Sequence, residues 1–122
     1  MTYTVEDLDA AVLAHYDEDE DYQEGWGNLG EALYHYNWGV NKDKPAPTVE
    51  LDGIGTVRKV EDFGGEGQGD QYWIVISITD ADGNVRYFQR DGWYASYDGG
   101  YYEGPTFEVR PEEKTITVWV KA

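Results

Sequence analysis

The chain has no cysteine, so it carries no disulfide and no thiolate metal site. It has no apolar run near the roughly 20 residues that span a bilayer as a helix. The opening MTYTVEDLD has neither the basic nor the apolar region of a signal peptide, and a cytoplasmic location is expected. Basic residues are scarce: nine Lys and Arg stand against 25 Asp and Glu, for a formal charge of −16. Residues 1–41 hold ten carboxylates and no Lys or Arg at all. A surface of this sign repels nucleic acid and anionic membranes and attracts basic proteins.

What the chain does have is rings, with 11 Tyr and 5 Trp among 122 residues. That length suits one domain, with an acidic helical part (1–41) and a β-rich part (42–122). Much of the core is expected to be aromatic. Tyrosine hydroxyls need partners or water, so many of those rings should be only partly buried.

Thr4 reads as a helix N-cap, with Glu6 and Asp7 in the first turn where the helix dipole favours anions. Val5, Leu8, Val12 and Tyr16 form one stripe, which predicts a helix over 5–16. Asp17, Glu18, Asp19, Glu20 and Asp21 follow, and their mutual repulsion predicts a solvated linker. Tyr22, Trp26, Leu29, Leu33 and Tyr36 recur at helical spacing. Gly25, Gly27 and Gly30 each cost about 1 kcal/mol in a helix, so the second helix is expected to begin near Asn28 and to run to Tyr36. The same glycines permit close approach of another part of the chain.

Residues 41–47 form a loop. Short strands are expected over 48–51 and 55–63, with a bulge where Arg58-Lys59-Val60 breaks alternation. The strongest strand is 72–79. Ile74, Ile76 and Ile78 share one face, and Trp73 and Val75 point to the other. Apolar residues on both faces predict cover on both sides. A break at 80–84 leads to a return strand over 85–90. Asp91-Gly92 then reads as a hairpin turn into a third strand over 93–97. A last hairpin is expected between 106–110 and 115–120. Helices followed by strands give an α+β fold, with the N-terminal helices packed on one face of a mainly antiparallel, meander-type sheet.

Chemistry-bearing motifs are weak. Gly64-Gly-Glu66-Gly-Gln-Gly69 has the glycines of a phosphate cradle. It lacks the lysine and the following helix, and Glu61, Asp62, Glu66 and Asp70 surround it. A mobile hairpin loop or a recognition loop fits it better. Asp80-x-Asp82-Gly-Asn84 echoes the start of a calcium loop without the later ligands. His15 and His35 are too few for zinc. No nucleophile–base order is readable, and no cofactor, metal or catalytic residue is expected.

The stretches VEDFGGEGQGDQYWIVISI, RYFQRDGWYASYDGG and FEVRPEEKTITVW resemble small acidic proteins encoded by phages of actinobacteria. The similarity covers about residues 57–119. It implies an accessory factor acting on a host protein in the host cytoplasm, and it carries over no catalytic residue.

Three functions follow as expectations. The first is a non-enzymatic protein that occupies a basic, nucleic-acid-binding surface of a host protein, as a nucleic-acid mimic or defence inhibitor. Carboxylates at i,i+3 and i,i+4 lie about 5–6 Å apart, near the spacing of successive phosphates. Glu6, Asp7, Asp9 and residues 17–21 would be its acidic face. The second is a phage structural or assembly module using a sheet edge or aromatic face. The third is a small-molecule or carbohydrate binder. For these two, Glu66, Asp70, Trp93, Tyr94 and Tyr97 are the candidate contacts.

Overall fold

A computed structural model describes residues 3–16, 25–34, 45–64, 69–95 and 99–122. Two helices, α1 (Val5–His15) and α2 (Gly25–Ala32), precede six strands: β1 (Val49–Leu51), β2 (Gly55–Phe63), β3 (Gln71–Thr79), β4 (Val85–Ala95), β5 (Gly99–Tyr101) and β6 (Thr106–Val109). The strands form one sheet in the order β1-β2-β3-β4-β5, every pair antiparallel, with β6 also on β4. The fold is α+β, with a meander-type strand order and both helices on one face.

α1 starts where its cap dictates. Thr4 Oγ1 accepts from the Asp7 amide, and Asp7 Oδ2 accepts from the Thr4 amide, a reciprocal capping box. The helix stops at His15 and buries Leu8 and Val12. α2 begins at Gly25, earlier than its glycines suggest, and ends at Ala32. Tertiary packing outweighs propensity here, because the glycines admit neighbours. A β-carbon on Gly25 would sit 3.0 Å from Leu13 Cδ2 of α1, and one on Gly30 would sit 3.1 Å from the Tyr102 ring. Tyr34 lies beyond the helix and is exposed. Tyr22, His35, Tyr36 and residues 17–21 lie outside the described residues.

β3 is the central strand, paired with β2 on one side and β4 on the other. Ile74, Ile76 and Ile78 meet Val57, Phe88, Leu8, Val12, Trp26, Leu29 and Leu33 in one core. Each such buried side chain contributes about 1.5–3 kcal/mol. The core is mainly aliphatic rather than aromatic. Most of the described tyrosines sit at its margins, where a hydroxyl can reach water. The expected cover on both sheet faces is also corrected. Trp73 and Val75 are only half-buried, and no described element lies over their side of the sheet. The predicted bulge is present: register shifts between Lys59 and Glu61, and Val60 turns outward.

Two strand predictions fail. Asp91-Gly92 is not a turn, because β4 runs through it, pairing Asp91 with Trp73 and Gly92 with Tyr72. The glycine serves a close approach instead. A β-carbon there would lie 2.0 Å from the Tyr101 carbonyl oxygen. The chain between β5 and β6 stays bonded to this point, with Gly104 N–H on the Asp91 carbonyl and Asp91 N–H on the Pro105 carbonyl. The third strand of the meander is therefore β5, after Ala95. The last hairpin is also absent: β6 pairs with β4, and residues 115–120 run without a strand partner among the described residues.

Candidate functional site

Between α2 and the β5 side of the sheet lies an open groove of about 500 Å³. Tyr34 after α2, Tyr72 from β3 and Tyr102 just beyond β5 line it, and Tyr101 of β5, whose side chain alternates to the open face beside Trp93, borders it at the sheet edge. Gly27, Gly30 and Gly100 also line it, and Glu31, Asp62 and Glu103 bring carboxylates to it. The pairings of β3 with β4 and of β4 with β5 bring Tyr72 and Tyr101 to one end of the sheet. Tyr72 and Tyr102 hold their ring centroids 4.7 Å apart, tilted at 32°. Tyr94 stacks behind Tyr72 at 6.1 Å. Gly100 is obligatory for this packing, because a β-carbon there would fall 2.4 Å from the Tyr72 ring.

The groove is electronegative by construction. Ring faces carry the negative part of an aromatic quadrupole. Burial, then the neighbouring Tyr72, pushes the Tyr102 phenol well above the ordinary tyrosine range, so it keeps its proton. Asp62 is paired with Lys59 at 3.2 Å, and Lys59 Nζ stands 5.7 Å from the Tyr34 ring centroid. A cation already rests against a tyrosine of this groove. Glu103 Oε2 accepts from Trp93 Nε1 at 3.1 Å, and Trp93 packs on Tyr101 at 4.9 Å. No Ser, His, Lys or Cys is among the lining residues. The groove's tyrosine rings and carboxylates are groups that a cation can approach.

The predicted acidic face is partly dismantled. Glu6 is exposed on α1, and Asp7 is exposed but held in the capping box. Asp9 turns inward. Its Oδ1 accepts from Trp26 Nε1 at 3.0 Å and from Thr106 Oγ1 at 2.8 Å, and lies 3.7 Å from Arg90 Nη1. Arg90 Nη1 also donates to Thr106 Oγ1, and its Nε donates to the Tyr102 carbonyl. Burial draws the Arg90 pKa down and Asp9 opposes that. Asp9 is thus a rivet between α1 and the sheet, not a surface charge for a partner. Asp17, Glu18, Asp19, Glu20 and Asp21 lie outside the described residues.

Of the aromatic and loop candidates, Trp93 and Tyr94 are brought against groove tyrosines. Asp70 is exposed, and its carbonyl accepts from the Tyr94 amide. Glu66 and Tyr97 lie outside the described residues. Asp80 is explained by its own turn. Its carboxylate accepts from the amides of Asn84 and Asp82, which hold its pKa below the usual carboxylate range. Among the described residues no cluster of three His, Cys, Asp or Glu converges as a metal site. No described helix is long and apolar enough to cross a membrane.

Sequence reasoning missed Tyr34, Tyr72, Tyr101, Tyr102, Glu31, Asp62 and Glu103 as one site. The available signal was YDGGYYEG, where paired tyrosines, small residues and an acid fall within eight positions. No protein-family model matches the chain, and no curated protein and no solved structure matches it either.

Proposed function

We propose that the protein is a non-enzymatic binding module that takes a cationic segment of a basic protein into the tyrosine groove. The observation that carries this reading is the groove itself, where Tyr34, Tyr72 and Tyr102 meet Glu31, Asp62 and Glu103 in one open trough and Lys59 already lies against Asp62 and Tyr34. A lysine or arginine side chain gains from both components. A cation over an aromatic face is worth roughly 0.5–1 kcal/mol when exposed and about 2 kcal/mol when desolvated. The charge of −16 would steer such a partner in and turn phosphates away. The setting implied by the phage resemblance is an accessory factor in the host cytoplasm, occupying the basic surface of a nucleic-acid-binding host protein. The groove supports a reading with recognition at the α2–β5 end in preference to a phosphate-like row along α1, since Asp9 is engaged inside the fold.

The test is calorimetric titration with an oligo-arginine peptide at low and high salt. Tyr34→Ala, at an exposed lining position, should weaken binding about 2–5-fold. Neutralising Glu31, Asp62 and Glu103 together (to Gln, Asn and Gln) should weaken it more than about tenfold. A charge-matched control, Glu6→Gln with Asp52→Asn and Asp82→Asn, should weaken it far less. Equal losses in the two triple variants would mean that only overall charge matters and that the groove is not the site.

A further inference from the structure

Residues 110–122 form an arm that leaves β6 and pairs with no strand among the described residues. Its sequence, KTITVWVKA over 114–122, is strand-like: Ile116, Val118 and Val120 alternate with Thr115, Thr117 and Trp119. Yet Ile116, Val118, Trp119 and Val120 are 75%, 72%, 94% and 83% exposed. These are the four most exposed large apolar side chains described. β6, for its part, has one strand neighbour, β4, and its other edge is unpaired among the described residues. Phe107 of β6 is exposed on the open face of the sheet, where Val109 sits opposite Tyr87. A strand with a bare apolar face and a sheet edge with a bare apolar face thus coexist in one chain.

We propose that the arm of one copy adds as an antiparallel strand to the β6 edge of a second copy, and that the exchange is reciprocal. Two observations select a second copy over another protein. First, the arm and the edge match in pattern. Pairing Val109 with Ile116 and Phe107 with Val118 puts all four on the open face, and it sets Trp119 beside Thr106 on the helix side. Second, the reach suffices. With residues 116–119 engaged, residues 110–115 remain as the linker, and six extended residues cover about 20 Å, a gap that two adjacent small domains can bridge. Exchange of the same element in both directions closes a two-fold dimer and leaves no arm free.

The absence of cysteine makes a direct test clean. Residues opposite each other in an antiparallel pair have Cα atoms about 4.5–5.5 Å apart, within disulfide range. A chain carrying Val109→Cys is mixed with a chain carrying Ile116→Cys under mild oxidation. The expected product is a disulfide joining one copy of each. In sedimentation equilibrium the unmodified chain should run at twice its monomer mass. Ile116→Asp with Val118→Asp, at positions already exposed, should run as a monomer with an unchanged circular dichroism spectrum. The proposal is overturned by a wild-type monomer across the accessible concentration range, or by a dimer that never cross-links the 109–116 pair. It is equally overturned if a single chain bearing both cysteines closes the disulfide within itself, since the arm would then be its own hairpin. An arm that pairs only in the presence of an added basic protein would likewise sink it.

Discussion

The two faces of the sheet are built from different materials. Under the helices, Ile74, Ile76, Ile78, Val57 and Phe88 are essentially inaccessible to water. On the open side stand Trp73, Val75, Tyr87, Trp93, Tyr101 and Phe107, half-buried or exposed. The aliphatic side fills an enclosed space where a hydroxyl would need a partner. The aromatic side lies where an indole or phenol can be half wet: Phe63 stacks on Trp73 at 5.7 Å, and Trp93 bonds Glu103. Alternation in β3 specifies which residues share a face. It is the chemistry of the side chains that indicates which face the helices take.

The largest effect expected from this contrast is on stability. Ile76→Ala should cost about 2–5 kcal/mol, because the side chain is enclosed and its loss leaves a cavity. Val75→Ala, one residue along and on the other face, should cost about 1 kcal/mol or less. Urea unfolding of both variants, read from the midpoint at constant slope, measures the difference. Equal losses would break the comparison. They would show the open face around Val75 to be covered in solution, which strand addition at the β6 edge does not require.

Legibility follows the same division. β3 could be read because isoleucine alternation and the Asp80–Asn84 turn are local, and the turn closes through Asp80's own bonds to residues 82 and 84. α1 could be read because Thr4 and Asp7 form their cap within four residues. Asp91-Gly92 misled because its glycine answers to the Tyr101 carbonyl, a contact no window around residue 91 contains. Residues 115–120 have strand chemistry, but alternation cannot name a partner. The groove is the hardest case. It gathers Glu31, Tyr34, Asp62, Tyr72 and residues 100–103 from separate elements, and no spacing rule links them. Asp9 looked like surface acid because charge is visible in sequence and orientation is not.

A second, smaller effect concerns high pH. Burial raises the phenols of Tyr102, Tyr16 and Tyr3 above the ordinary tyrosine value of about 10. The folded chain therefore keeps protons that the unfolded chain releases. The stability linked to these groups is complete below about pH 10 and declines as pH rises past it. Chemical denaturation from pH 8 to about 11 should show that decline. Tyr102→Phe should make it shallower, since Tyr102 is the most strongly shifted of the three. A variant as steep as the parent would assign the decline to general charge repulsion instead.

The smallest effect lies at the rim of the covered face and has the opposite pH sense. Arg86 reaches from β4 to Glu108 on β6 with two parallel bonds, Nε to Oε2 and Nη2 to Oε1, each 2.9 Å. Its Nη1 donates to the Tyr3 carbonyl, and its guanidinium lies 4.3 Å from the Tyr3 ring centroid. Hydrogen bonding from Arg86 holds Glu108 below the usual glutamate range. A depressed carboxylate contributes stability that is present above its unfolded pKa of about 4.3 and is lost as pH falls through the folded value. Glu108 is nearly half exposed, so water screens the pair and its net worth should be about 1 kcal/mol or less. Glu108→Gln should therefore change stability little at pH 7 and flatten the curve between about pH 5 and 3. Arg86→Met should do more at neutral pH, since it also removes the bond to Tyr3 and the packing on Phe88. Unequal losses of this kind would make Arg86 a fastener of the residues before α1 to the sheet, with Glu108 only aligning it. Equal losses in the two variants would mean that the ion pair itself holds the edge, and that the contacts to Tyr3 are incidental.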